Sequence, residues 1–126
     1  MLRKNIPLTH EFSGDEDADT IHLGTFKDDQ LIAVASFMKS SHENFDGLQY
    51  QLRGMATLST HRGLGAGKLI VIEIQRRLKK LAIEYLWCKA RIVALDFYKK
   101  QGFEIFGDPF EIAHIGVHYI MFKKIK

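Results

Sequence analysis

Three glycines and two cations stand close together between a strand-like segment and a long amphipathic segment. The run is His61-Arg62-Gly63-Leu64-Gly65-Ala66-Gly67-Lys68. Glycine lets a main chain approach an anion and turn at positive φ. A helix that begins here would aim free N–H groups and the positive end of its dipole at such a ligand. Arg62 and Lys68 would add charge-assisted hydrogen bonds, so the spacing predicts a phosphate-binding loop.

Two familiar phosphate loops do not fit this run. The Walker pattern requires a Ser or Thr after Gly-Lys to hold Mg²⁺, but Leu69 follows Lys68, and Arg62 stands where the first glycine belongs. The dinucleotide pattern fails because the three glycines are spaced by two and then by two residues. A tight strand-to-helix turn that binds no ligand remains the alternative.

The composition indicates one domain over residues 1–126, of which 46% are hydrophobic. No apolar run reaches the roughly 18 residues that a membrane span needs, and the N-terminus lacks the apolar stretch of a signal peptide. The single cysteine, Cys88, permits no internal disulfide. We therefore expect a soluble cytoplasmic protein without a membrane partner.

Charge is divided unevenly along the chain. Residues 1–46 carry four Lys/Arg and nine acids, whereas residues 47–126 carry fourteen Lys/Arg and six acids. The basic part contains the glycine loop and suits an anionic ligand, and the acidic part favours a cationic one; scattered solvated charge is the alternative. No basic cluster is interleaved with aromatics, so we expect no nucleic acid partner. The histidines are isolated and there are no cysteine pairs, so no metal site is predicted.

Periodicity predicts an α/β (α+β) chain with the order β-β-β-α-β-α-β-β. Residues 1–18 are expected to form a short helix and a loop. The predicted strands are 20–26, 31–38, 49–58, 85–88, 103–110 and 114–124. The first helix should run from the glycine loop to about Leu81. The second should span 90–101 and end at Gly102 in a left-handed cap.

A second motif lies in this last helix. Residues 90–103, ARIVALDFYKKQGF, resemble the A-x-x-x-A-x-x-F-Y-x-x-x-G-F segment of the GNAT superfamily of N-acetyltransferases. Arg62-x-x-Gly65-x-Gly67 after a strand resembles the loop of that family which binds the diphosphate of acyl-CoA. The resemblance covers residues 20–124. It implies a mixed, mostly antiparallel central sheet flanked by helices, and transfer of the acetyl group of acetyl-CoA to a primary amine by direct attack in a ternary complex.

The resemblance also implies roles for single residues. The backbone of Met55, Ala56 and Thr57 would pair with the pantetheine arm like an added strand, and the N–H near Met55 would face the thioester oxygen. Lys89 stands where many relatives carry an asparagine that contacts this arm. The diphosphate would be held by the loop residues Arg62, Gly63, Leu64, Gly65, Ala66, Gly67 and Lys68.

Tyr98 is the candidate general acid, since a phenol near pKa 10 can protonate the departing CoA thiolate. The alternative is a tyrosine that only packs its ring. His118 is a candidate base with His114 behind it, but either could be a partly buried strand histidine, and water leading to a carboxylate would also serve. Cys88 is more typical of a small core residue than of a nucleophile.

The N-terminal part departs from the family pattern. Relatives begin with a strand and one or two helices that wall the acceptor site, whereas only about nineteen residues precede the first clear strand here. Residues 2–12 resemble the tail of that helical region, with the opening strand absent. The acceptor pocket could then be completed by a second copy in a homodimer. An alternative function is a non-catalytic acyl-CoA-binding module. The acceptor itself is not identified by the sequence.

Overall fold

The computed structural model describes residues 8–11, 19–58 and 65–125, with residues 8–11 as backbone only. The strands are β1 (Leu8–Glu11), β2 (Ile21–Lys27), β3 (Gln30–Lys39), β4 (Gln49–Thr57), β5 (Tyr85–Arg91), β6 (Glu104–Ile112) and β7 (Gly116–Lys124). The helices are α1 (Ala66–Lys80) and α2 (Leu95–Lys100), and a 3₁₀ turn over Ile92–Ala94 precedes α2. No helix in these ranges is both long and apolar enough to cross a membrane.

The described strands form one seven-stranded sheet in the order β1-β2-β3-β4-β5-β7-β6. Only β4 and β5 pair in parallel, and every other neighbouring pair is antiparallel. The prediction of a mixed, mostly antiparallel sheet with helices is thus confirmed. The expected helix and loop over residues 1–18 is wrong at Leu8–Glu11, which pairs with β2 as an opening strand.

The two faces of the sheet differ, because α1 packs against one of them. We call the first the helix face, because α1 buries Ile70, Ile74 and Leu78 against it. Its strand residues include Thr25, Ala35, Phe37, Leu52, Leu86, Cys88 and Met121, which alternate along their strands and are buried. The opposite side is called the open face. Its residues include Gln51, Trp87, Lys89, His118 and Ile120, which match across the strands by register.

A hydrogen bond from β2 fixes the start of α1. Thr25 is fully buried on the helix face, and its Oγ1 donates to the carbonyl oxygen of Ala66 at 3.0 Å. The contact joins residues 41 positions apart. Because Ala66 is the first residue of α1, this bond sets where the helix meets the preceding loop.

A two-residue hairpin joins β2 to β3, because Lys27 pairs with Gln30. Asp28 and Asp29 both have positive φ, 51° and 68°. That is the pattern of a type I′ turn, whose twist matches the flanking strands and which prefers Asn-Gly. Aspartate tolerates the left-handed region only at a cost, since its Cβ approaches the backbone.

Asp29→Gly should therefore raise the free energy of unfolding by about 0.5–1 kcal/mol, because glycine removes the steric cost at φ 68°. Urea unfolding measures the change. Lys27→Gly, at a neighbouring strand position with ordinary φ, is the matched control and should lower stability instead. Equal losses in the two variants would contradict the account of this turn.

Candidate active site

The sheet splits between its two parallel strands. Gln49–Leu52 of β4 pair with Tyr85–Cys88 of β5, and the pairing ends there. On the other side of β4, Ser36 pairs with Gly54 but Phe37 pairs with Leu52, so Arg53 is an extra residue. This is a β-bulge, which bends a strand and increases its twist. In the described part of the chain, β4 beyond the bulge pairs only with β3, and Lys89–Arg91 pair only with β7.

The split leaves two facing edges of backbone without a strand between them. Met55, Ala56 and Thr57 occupy the β4 edge, as the predicted pantetheine contact requires. Unpaired N–H and C=O groups in such an edge demand partners, and an extended amide ligand can supply them. Lys89, the other residue predicted for this arm, begins the facing edge on β5.

The first turn of α1 lies at the mouth of the split. Gly65 adopts φ +79° at the helix cap, and no side chain caps the helix. The first helical bond runs from the Leu69 N–H to the Gly65 carbonyl at 3.0 Å, so the N–H groups of Ala66, Gly67 and Lys68 have no acceptor within the helix. The first turn holds no acid, so its field favours an anion. Arg62, Gly63 and Leu64 lie outside the described residues.

Gly67 brings the loop, the split and α2 into contact. A Cβ added to Gly67 would lie 3.1 Å from Cζ of Phe97 and 3.3 Å from Sδ of Met55. These separations are shorter than ordinary van der Waals contacts. A side chain here would have to push Phe97 or Met55 aside by a few tenths of an ångström, so glycine lets α1 begin close to both the β4 edge and the helix that carries Tyr98.

Tyr98 is buried on the helix face, with 8% of its surface exposed. Its ring meets Phe97 and Phe103 edge to face, with centroids 5.2 and 5.3 Å away. Burial, with a smaller contribution from the nearby Cys88 thiol, raises the pKa of Tyr98 above its usual value. The phenol is therefore protonated at neutral pH, which is the state that an acid needs.

The expected helix over 90–101 begins later than predicted. Ala90 is the sixth residue of β5, Ala94 ends the 3₁₀ turn, and α2 starts at Leu95. The backbone of Arg91 is extended, at φ −70° and ψ 152°. Ala90, Ala94 and Tyr98 therefore do not share one helix face. Ala90 is buried beside the split, and Gly102 has the expected positive φ of 91°.

Cys88 lies on the helix face beneath the split and is 2% exposed. Burial without a compensating cation raises the pKa of its thiol to about 12. A thiol in that state is a poor nucleophile at neutral pH. This agrees with its interpretation as a core residue.

His118 of β7 lies on the open face, paired with Arg91 of β5, and is 5% exposed. Its Nδ1 is 2.9 Å from the Gly116 carbonyl oxygen. A carbonyl oxygen can only accept, so Nδ1 carries the proton and Nε2 of the neutral ring keeps its lone pair. The ring stands against Phe110, with centroids 6.0 Å apart. Tyr98 and His118 thus approach the sheet from opposite faces.

A pocket of about 410 Å³ opens on the open face next to the split. Its lining consists of Ser41, His42, Glu43, Trp87, Lys89, Phe110 and Ile120. Trp87 is held by a hydrogen bond from its Nε1 to the Ser40 carbonyl oxygen at 2.9 Å. The sequence patterns did not predict this pocket. The signal for it is the pair of ring residues His42 and Phe45 in an otherwise polar stretch, whose rings pack against each other. No described residues form a group that could hold a metal ion.

Comparison with known proteins identifies the family. The model of the acetyltransferase (GNAT) family matches residues 3–103. The chain belongs to this family and is an acetyltransferase. It is 34% identical over 117 residues to the uncharacterised N-acetyltransferase YitI of Bacillus subtilis strain 168, covering 92% of this chain and 78% of that protein.

Solved structures of other acetyltransferases share the fold. A Bacillus subtilis acetyltransferase in complex with CoA superposes with a TM-score of 0.70 at 14% identity, over 94% of this chain and 98% of that one. An aminoglycoside 6'-N-acetyltransferase complexed with CoA gives a TM-score of 0.73 at 14% identity, over 87% and 75% of the two chains. These likenesses confirm the predicted fold class of the GNAT acetyltransferase.

Gly67→Ala should destabilise this GNAT domain by about 1 kcal/mol, because overpacking against Phe97 and Met55 outweighs the better helix propensity of alanine. Phe97→Leu in the same chain should relieve the crowding. A double-mutant cycle in urea measures the coupling. Purely additive losses of stability would show that the methyl group added at Gly67 does not contact the Phe97 ring.

Proposed function

We propose that this acetyltransferase moves the acetyl group of acetyl-CoA to a primary amine by direct attack in a ternary complex, within a single domain formed by residues 1–126. The observation that carries the proposal is the split between β4 and β5 beyond the Arg53 bulge. It offers an unpaired strand edge, with a glycine-rich helix start at one end and a buried tyrosine on one face.

The split would hold the cosubstrate along its length. The pantetheine arm contains amides, which can bond the free backbone groups of Met55, Ala56 and Thr57. The diphosphate would lie at the α1 N-terminus, over residues 62–68. The N–H groups of Ala66, Gly67 and Lys68 supply donors there, and the Lys68 side chain is exposed to add charge. Two of the superposed acetyltransferases are complexed with CoA, which supports an acyl-CoA cosubstrate.

The reaction needs two proton movements at the split. The amine nitrogen forms a bond to the acetyl carbonyl carbon, and negative charge then develops on the carbonyl oxygen. The backbone N–H near Met55 is the proposed donor to that oxygen. When the intermediate collapses, the C–S bond breaks and the electron pair leaves on sulfur, while nitrogen loses one proton.

Tyr98 is the proposed general acid for the departing sulfur. Its raised pKa keeps the phenol protonated, and a hydrogen bond from the hydroxyl stabilises charge as the thiolate forms. It approaches from the helix face, beneath the β5 edge.

His118 is the proposed general base for the amine. The Gly116 carbonyl oxygen fixes the tautomer that leaves Nε2 as an acceptor, and the ring lies on the open face beside the pocket wall formed by Phe110. Acid and base on opposite faces would keep the two protons apart. His114, which has φ 66° in an exposed turn, is less suited to a fixed role.

A thermal-shift series followed by a thiol-release assay tests the proposal. Acetyl-CoA and CoA should raise the melting temperature more than ATP or NAD does. Saturable thiol release should then follow with at least one amine. Stabilisation by acetyl-CoA without turnover across a broad panel would favour the acyl-CoA-binding module instead. The cytoplasmic location, the homodimer and the lack of a nucleic acid partner stay predictions.

Tyr98→Phe should lower kcat by roughly 10²-fold or more, the usual contribution of a general acid. The melting-temperature shift with CoA should persist, because phenylalanine keeps the ring packing on Phe97 and Phe103. Tyr85→Phe, at the start of β5 with its ring on the open face stacked against Phe45, is the matched control. Unchanged kcat in Tyr98→Phe would remove Tyr98 from the chemistry.

The pH dependence of kcat follows from the same burial. An acid works only while it is protonated, and the raised pKa of Tyr98 extends that range upward. The rate should therefore show no alkaline decline from Tyr98 below about pH 10, the ordinary phenol pKa. A pH–rate profile with the best amine measures this. A decline centred below pH 9 that disappears in Tyr98→Phe would contradict the assignment.

A further inference from the structure

We infer that the pocket on the open face receives the acceptor, and that this acceptor is an amine carrying a carboxylate and a large apolar side chain, such as an apolar α-amino acid. This rests on the proposed acetyl transfer. The argument uses the position of the pocket, the nature of its walls and the charges around its mouth.

The pocket lies where an acceptor must approach. Lys89 belongs to both features, since its backbone begins the free β5 edge and its side chain lines the pocket. The neighbouring lining residue, Trp87, makes one of the last β4–β5 pairs before the split, with Gln51. A molecule in the pocket therefore reaches the split from the side opposite to Tyr98.

The pocket walls are mainly apolar. His42, Trp87, Phe110 and Ile120 supply rings and an aliphatic side chain, and the volume of about 410 Å³ is within the usual range for small-molecule sites. Trp87 donates its only N–H to Ser40 and so offers the acceptor no hydrogen bond from the indole. Such walls favour an apolar body over a polyhydroxyl one.

Three exposed cations border the split on this face, and one of them, Lys89, also lines the pocket. Arg53 stands exposed on the β4 side, and Lys89 and Arg91 stand exposed on the β5 side, two positions apart on the strand and so on one face. Glu43 is the one acid in the pocket lining. A polyamine or aminoglycoside would bring several positive charges against these three cations. A carboxylate beside the amine is attracted to them instead.

Gly54 leaves space on the open face beside the split, which agrees with an acceptor approaching from this side. Gly54 lies directly after the bulge, has ordinary φ, and would meet nothing within 4 Å if a Cβ were added. The fold therefore does not require glycine there. Glycine inside a strand marks either a bulge or a close approach by another molecule, and the open space beside Gly54 suits the second.

The single tryptophan of the chain gives a binding test that is independent of turnover. Phenylalanine, phenethylamine, spermidine and kanamycin are titrated into the protein saturated with CoA, with Trp87 emission as the readout. Phenylalanine should change the emission saturably and at least tenfold more tightly than phenethylamine, its counterpart without the carboxylate. Equal affinity for the two, or tighter binding of spermidine or kanamycin, would overturn the inference.

Steady-state thiol release with acetyl-CoA extends the test to the chemistry. Phenylalanine should exceed phenethylamine in kcat/KM, and Lys89→Met should collapse this ratio at least tenfold through KM for phenylalanine. Lys80→Met, at the exposed far end of α1, removes the same charge and should preserve the ratio. Gly54→Ala should raise KM for the amine while the melting temperature does not fall, since the added methyl group meets no protein atom.

These measurements distinguish a failure of the inferred acceptor class from a failure of the proposed acetyl transfer. Turnover with polyamines or aminoglycosides and none with carboxylated amines would overturn this inference and leave the proposed acetyl transfer standing. Absence of both CoA stabilisation and thiol release with every amine would overturn the two together. A ratio unchanged in Lys89→Met would show that Lys89 does not recognise a carboxylate.

Discussion

The whole site depends on one extra residue in β4. Parallel pairing between β4 and β5 holds over four residues and is then interrupted where Arg53 bulges from the β3 register. Without the bulge, the hydrogen bonds of β4 would continue to be used within the sheet. The interruption leaves a free strand edge in the middle of the sheet, where the two flanking strands are each still held by a neighbour.

The surrounding structure keeps this split in a fixed shape. Thr25 ties the start of α1 to β2, and Gly67 lets that start lie against Met55 and Phe97. Lys123 of β7 donates to the Gln101 carbonyl oxygen at 2.6 Å, at the end of α2. The N-terminus of α1 and Tyr98 of α2 are thereby positioned by strands on both sides of the gap. Rigid support of this kind is what precise transfer chemistry requires.

Local sequence patterns predicted the elements well and the site only partly. Alternation and turn residues located β2 to β7, and the glycine spacing located the start of α1. The bulge could not be predicted, because an alternating run such as Tyr50 to Leu58 does not show where the strand register shifts. As a result of the shift, Gly54 lies on the open face although Leu52 is buried on the helix face. The helix expected from Ala90 failed because cross-strand pairing with Tyr119 outweighed the helical propensity of alanine. The β1 strand and the pocket walls depend on contacts between distant parts of the chain.

The burial of Cys88 has a practical consequence for enzymology. Because burial raises the pKa of the Cys88 thiol to about 12, the thiol stays protonated near pH 8. Reagents that trap free sulfhydryls would therefore be consumed by the released coenzyme and hardly at all by the folded catalyst. Because the chain has no other cysteine, colorimetric detection of the product can run continuously with negligible background from the protein and without inactivating it.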